Sequence, residues 1–168
     1  MKTNKNYKRE ILISVLISLL IAKFITANLF FIGYVPSISM RPTLMEDDRV
    51  FVTKNFDEIM IGDIYTFNKN GKTMVKRCIA GPGDQVVINN DNVYVNDVLI
   101  DEQYVSSQVK EDINLKITIP KNKYLFLGDN RRYSNDARYW DDPLVSKDDI
   151  TGKVKYIIFP FSRISRID

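Results

Sequence analysis

From Ile11 to Phe31 the chain carries one charge, Lys23, among long aliphatic and aromatic side chains. That span matches the roughly 20 apolar residues that a helix needs to cross a hydrocarbon core. It predicts a transmembrane anchor over residues 11–31. Lys2, Lys5, Lys8 and Arg9 precede it against Glu10 alone. Positive charge on that flank predicts a cytoplasmic segment over 1–10 and an extracytoplasmic domain over 32–168. Lys23 is tolerable there because its four-carbon stem can carry the amine towards the outer interface. A cleaved secretory leader is the rival reading, since the run Ile11 to Ala22 follows a basic start. The small-x-small cleavage pattern is poor, however, with Ile25 two positions before Ala27 and bulk continuing through Phe30 and Phe31.

Beyond Val35 the texture changes to short alternating runs. Residues 49–53, 63–67, 74–79, 85–88, 92–95, 98–100, 115–119, 123–127 and 152–159 read as strands. Asn70-Gly71 marks a hairpin between the second and third of these. Asn89-Asn90-Asp91 and Asn96-Asp97 mark further turns. Residues 101–114 are polar without period and read as a loop. Many short strands with little helix predict a mainly β, antiparallel domain carried behind one N-terminal helix. Hydrophobic residues make up 45% of the chain, enough for a core. The net charge of +3 is mild and dispersed, which gives no support to nucleic acid as a partner. Cys78 is the sole cysteine, so no internal disulfide forms, and its place in an alternating strand suggests packing rather than reactivity.

The chain has no histidine. A Ser–His–Asp triad and any His-ligated metal are therefore excluded. A serine nucleophile here would need a lysine as its base. Ser39 lies in Pro36-Ser37-Ile38-Ser39-Met40-Arg41-Pro42-Thr43-Leu44, and Lys76 in Met74-Val75-Lys76-Arg77-Cys78-Ile79. Alone, each reads as an ordinary turn serine or strand lysine. Two adjacent cations in an apolar strand change that, because alternation turns one of them inward. An inward lysine beside a second cation is expected to have a lowered pKa and a usable neutral amine. The third polar cluster, Gly128 to Arg138, read alone is a solvated, turn-rich loop with surface ion pairs of small worth.

Three segments taken together resemble bacterial type I signal peptidases, the membrane-anchored Ser–Lys proteases that remove signal peptides from exported proteins. They are Ser37-Ile-Ser-Met-Arg-Pro-Thr-Leu44, Val75-Lys-Arg-Cys-Ile-Ala-Gly-Pro-Gly-Asp84 and Gly128-Asp-Asn-Arg-Arg-Tyr-Ser-Asn-Asp-Ala-Arg138. They stand in the family's order behind a similar N-terminal segment. The resemblance implies Ser39 as nucleophile and Lys76 as general base. It implies Ser37 as an oxyanion donor, Ser134 as the residue that orients the lysine, and Arg77, Asp129, Arg131, Asp136 and Arg138 as bracing. Val35, Pro36, Met40, Leu44 and Val75 fall where the family lines its small-residue pockets. The substrates implied are signal-peptide-bearing precursor proteins at the lipid bilayer of the cell membrane, cut after small-x-small sites. No cofactor or metal is implied. Residues 85–122 correspond to a variable insertion, short as in Gram-positive members. Arg132-Tyr133 stands where the family commonly has Asp-Asn, and Ala137 where it has serine. Two other readings share some of these features: an autocleaving Ser–Lys repressor, which would carry a DNA-binding module in place of the anchor, and a tethered, non-catalytic binding protein.

Overall fold

The computed structural model describes residues 3–90, 92–105 and 113–167. Among these described residues the helix α1 spans Thr3–Asn28, and twelve strands follow. They are β1 (Phe30–Tyr34), β2 (Arg49–Thr53), β3 (Ile64–Lys69), β4 (Lys72–Ala80), β5 (Gln85–Asn89) and β6 (Asn92–Val95). Then come β7 (Val98–Leu99), β8 (Asn114–Thr118), β9 (Lys123–Leu127), β10 (Leu144–Ser146), β11 (Ile150–Phe159) and β12 (Ser165–Arg166). Every strand pairing is antiparallel, as the sequence pattern predicts. The large sheet runs β1-β2-β11-β3-β4-β9-β10, with β12 beside β11, and a second sheet runs β7-β6-β5-β8. That second sheet is built from the predicted insertion over 85–122.

The turn chemistry accounts for the tightest connections. Asn70 and Gly71, with φ of 51° and 73°, join β3 to β4 so that Lys69 faces Lys72, the left-handed pair that a type I′ hairpin requires. Asn96 and Asp97, with φ of 53° and 64°, do the same between β6 and β7.

The helix stops at Asn28, and residues from Phe30 onward enter the sheet, so the apolar stretch 11–31 is divided between two elements. Phe-Phe-Ile-Gly-Tyr is a strand-forming run, and it pairs residue for residue with β2 from Phe30↔Thr53 to Tyr34↔Arg49. Among the described residues no helix is long and apolar enough to cross a membrane. The helix's described side chains, Tyr7 to Ile25, are all exposed, and they include Lys8, Arg9, Glu10 and Lys23. In the predicted loop 101–114, residues 101–105 form an ordered turn and 106–112 lie outside the described residues, as do 1, 2, 91 and 168.

Three apolar clusters hold the β-domain. Ile79, Val86, Ile88, Ile119, Leu125 and Leu127 join the small sheet to the large one. Met40, Leu44, Val50, Val52, Ile64 and Val154 fill the space under the Ser39 turn. Tyr65, Phe67, Cys78, Phe126 and Val145 form the third. Cys78 is fully buried, and burial pushes its thiol pKa upward, which is the packing role expected of it.

Candidate active site

Ser39 sits in a single 3₁₀ turn, Ile38–Met40, between β1 and β2. Asn130 fastens that turn from below: its backbone N–H donates to the Ser39 carbonyl at 3.0 Å, and its side-chain amide donates to the Ile38 carbonyl at 3.0 Å. Lys76 projects from β4, and its Nζ lies 2.7 Å from Ser39 Oγ and 3.1 Å from the Val75 carbonyl. Both residues are 5% exposed. Ser37 Oγ lies 3.3 Å from Ser39 Oγ. Burial pushes the Lys76 ammonium down from the ordinary lysine range to about 8, against the upward pull of the Asp136 and Asp129 carboxylates.

Two expectations about β4 need correcting. Alternation was expected to bury one of Lys76 and Arg77, yet both are buried, because the strand changes from exposed at Lys72 to continuously buried from Lys76 to Ala80. Nor does the second cation help to depress the amine. The Arg77 guanidinium is neutralised by Asp129, with Nε at 2.9 Å from Oδ1 and Nη2 at 2.7 Å from Oδ2.

The cluster 128–138 is likewise not a solvated loop. Asp129, Asp136 and Arg131 are almost wholly inaccessible. Asp136 pairs with Arg138 through Nε at 2.8 Å and accepts the Gly128 N–H at 2.9 Å. Arg138 also donates to the Arg131 carbonyl at 2.7 Å. Asp129 accepts from the Thr43 hydroxyl at 2.5 Å, which ties the chain after Ser39 to the Arg77 pair. Ser134 is buried, and its Oγ makes no hydrogen bond among the described residues. It packs against Gly128, where a Cβ would collide with the Ser134 side chain and the Ser39 carbonyl.

A cleft of about 570 Å³ opens above Ser39 and Lys76, lined by β1 from Phe31, by Val35 and Pro36, and by Thr73 to Val75 of β4. Of the five predicted pocket residues, Val35, Pro36 and Val75 line it. Met40 and Leu44 do not; both are fully buried in the core beneath. Of the two departures noted in the sequence, Tyr133 reaches the rim of this cleft, and Ala137 packs into the core between the sheets. Several contributors were not singled out in sequence. Thr43 and Asn130 lay inside the quoted segments, but only the fold shows which groups they bind. Glu102, Tyr104, Asp48 and Arg163 lay outside them, in stretches with no signal. Asp48 is fully buried and accepts from Arg163 Nε at 2.9 Å. Among the described residues no cluster could hold a metal ion.

A two-sheet antiparallel domain with a buried serine under an open apolar cleft describes a serine-hydrolase architecture, and relatives give its kind. The family model for signal peptidase, peptidase S26, matches residues 8–159. Signal peptidase I S of Bacillus subtilis (strain 168) is 35% identical, covering 98% of this chain and 94% of its own length. Signal peptidase I P of Bacillus subtilis subsp. natto is 38% identical over 94% of this chain and 90% of its own. A crystal structure of a signal peptidase I from Enterococcus faecalis V583 superposes with a TM-score of 0.51 at 27% identity, covering 59% of this chain and 98% of that one. The chain belongs to the peptidase S26 family of signal peptidases. Its activity is that of a signal peptidase I of Gram-positive type, a serine protease acting on signal-peptide-bearing precursors.

Proposed function

We propose that Ser39 and Lys76 form a catalytic Ser–Lys dyad that cuts precursors after small-x-small sites at the outer face of the cell membrane. The observation that carries this is the 2.7 Å approach of Lys76 Nζ to Ser39 Oγ in a buried position at the floor of the cleft. With the amine neutral, the same contact runs from the Ser39 hydroxyl to the nitrogen. Lys76 takes the hydroxyl proton as Oγ attacks the scissile carbonyl, and then passes it to the leaving amine. Water releases the acyl group from Ser39 by the reverse sequence. The Ser37 hydroxyl and the Ser39 backbone N–H are assigned to the developing oxyanion, where each donor typically contributes a factor of about a hundred or more. Ser134 is assigned to orient the lysine amine as the resemblance implies, although among the described residues its buried hydroxyl makes no hydrogen bond and Lys76 Nζ contacts Ser39 and the Val75 carbonyl instead. The Asp129–Arg77 and Asp136–Arg138 pairs, with Arg131, brace the walls.

The cleft lies between β1 and β4, and β1 is one of the two terminal strands of the large sheet, the other being β10. An extended precursor can add to that edge, with main-chain bonds fixing register and alternate side chains meeting the wall. Val35, Pro36 and Val75, which line the cleft, are assigned to receive alanine-sized side chains, with Met40 and Leu44 packed in the core behind. Helix α1 is assigned as the membrane attachment; its exposed aliphatic side chains and the basic residues that begin it support that role. The test is cleavage of a model precursor by the detergent-solubilised full chain with the cut position mapped. Wild type is expected to cut after a small-x-small site and Ser39→Ala to leave the precursor intact. Processing by Ser39→Ala at the wild-type rate would refute the dyad.

A further inference from the structure

The turn after β7 folds back from the small sheet onto the underside of the site. Glu102 meets Arg131 through both guanidinium ends: Arg131 Nη1 lies 2.8 Å from Oε2, and Nη2 donates to Oε1. Arg131 is 2% exposed and Glu102 10%. The Tyr104 hydroxyl donates to Glu102 Oε1 at 2.9 Å, and the Arg77 guanidinium lies 4.0 Å over the Tyr104 ring. One short strap thus holds two buried arginines, one through a carboxylate and one through an aromatic face. Burial and the Glu102 carboxylate push the Tyr104 phenol upward, so it remains a donor across the physiological range.

Each arginine leads directly to the Ser39 turn. Arg131 Nε donates to the Gly128 carbonyl at 3.1 Å. Gly128 is the residue whose α-carbon faces the Ser39 carbonyl and the Ser134 side chain. Arg77 is held on Asp129, which receives the Thr43 hydroxyl from the chain just past Ser39. Without the Glu102 carboxylate, Arg131 would be a buried cation seeking the nearest anion. Asp129 already serves Arg77 and Thr43. A buried ion pair with one partner removed leaves an uncompensated charge, and the structure around it rearranges. We infer that Glu102 and Tyr104 are positioning residues for the peptidase reaction, acting through Arg131 and Arg77 to fix the floor on which Ser39 stands. The inference rests on the Ser39–Lys76 reading above. It gives the small sheet a role in the chemistry although neither residue lines the cleft.

The test uses the full chain in detergent, with rates referred to folded protein by circular dichroism. Tyr104→Ala and Glu102→Gln are expected to lower kcat between about ten- and a hundredfold, the effect of a small displacement of reacting groups, with KM unchanged. Tyr104→Phe keeps the ring over Arg77 and is expected to stay within about threefold of wild type, since the face of the ring is retained. If Glu102→Gln does not fold, the comparison of Tyr104→Ala with Tyr104→Phe decides alone. Wild-type kcat per folded molecule in Tyr104→Ala would overturn the inference, as would a rise in KM with kcat intact. Ser39→Ala runs beside them: activity surviving there would sink the dyad reading, a distinct failure.

Discussion

The burial that suits Lys76 to its proposed role as base is the same burial that makes it a burden on the fold. With a pKa of about 8, roughly a tenth of the amine is neutral at pH 7. The rate of the chemical step is therefore expected to climb through pH 8 and level off above it, measured as kcat/KM on a peptide lacking titratable groups in that range. A flat profile between pH 6.5 and 9 would remove Lys76 as the base. For stability the sign follows from proton counts. An unfolded lysine titrates near 10.5 and the folded one near 8, so the unfolded chain binds more protons between those values. Stability owed to this group is lowest below pH 8 and recovers as pH rises towards 10.5. The penalty at pH 7 is about 3 kcal/mol from a shift of this size. Lys76→Met, of similar length and uncharged, is expected to be inactive and to have a higher Tm at pH 7 than wild type. The ion pairs divide on the same principle. Asp129→Ala strands the buried Arg77 and is expected to cost about 3–5 kcal/mol. Glu46→Ala removes only the exposed pair with Arg41, at 42% and 41% exposure, and should cost less than about 1 kcal/mol. Urea titrations of the two variants check the contrast.

Among the elements, strands announced by alternation and by Asn-Gly or Asn-Asp turns were readable, because side-chain period and left-handed turn residues are local properties. β6 and β9 fall on their predicted residues. The end of α1 was not readable in this way. Phe30 to Tyr34 are as apolar as the helix before them, and only pairing with β2 makes them a strand. The strap at 101–105 was invisible for the opposite reason: Glu102 and Tyr104 look like solvated loop residues until Arg131 and Arg77 are placed beneath them. Within the site, the Ser39 and Lys76 segments stood out in the sequence. The depth of the 128–138 cluster did not, since surface and buried ion pairs have the same composition. Gly128 shows what such a close approach requires. Its Cβ position lies 2.6 Å from the Ser39 carbonyl oxygen and 2.5 Å from the Ser134 Cβ. Gly128→Ala is expected to destabilise by about 1–3 kcal/mol through overpacking and to lose activity more than stability, because what must move is the backbone of Ser39, the proposed nucleophile. Comparing Tm with kcat for this variant checks that ordering.

At the scale of the whole molecule, helix and β-domain are joined in sequence but share little packing. None of the three apolar clusters includes a residue before Phe31, and the described helix side chains are exposed. Removing residues 1–28 is therefore expected to leave the β-domain folded, with a Tm close to that of the full chain. It should also leave kcat on a short soluble peptide close to wild type, since Ser39, Lys76 and their supports all lie beyond Phe31. Processing of a precursor held in vesicles is a different matter. On the proposed anchoring, enzyme and substrate meet within one thin layer, and such confinement raises effective concentration by factors of about 10² to 10⁴ without any new contact. Loss of the helix is expected to slow vesicle processing by a comparable factor while the peptide rate stays put. Equal vesicle rates for the full and shortened chains would show that the helix contributes nothing to meeting the substrate. A fall in both rates together would place part of the active site's support in the helix, contrary to the packing described here.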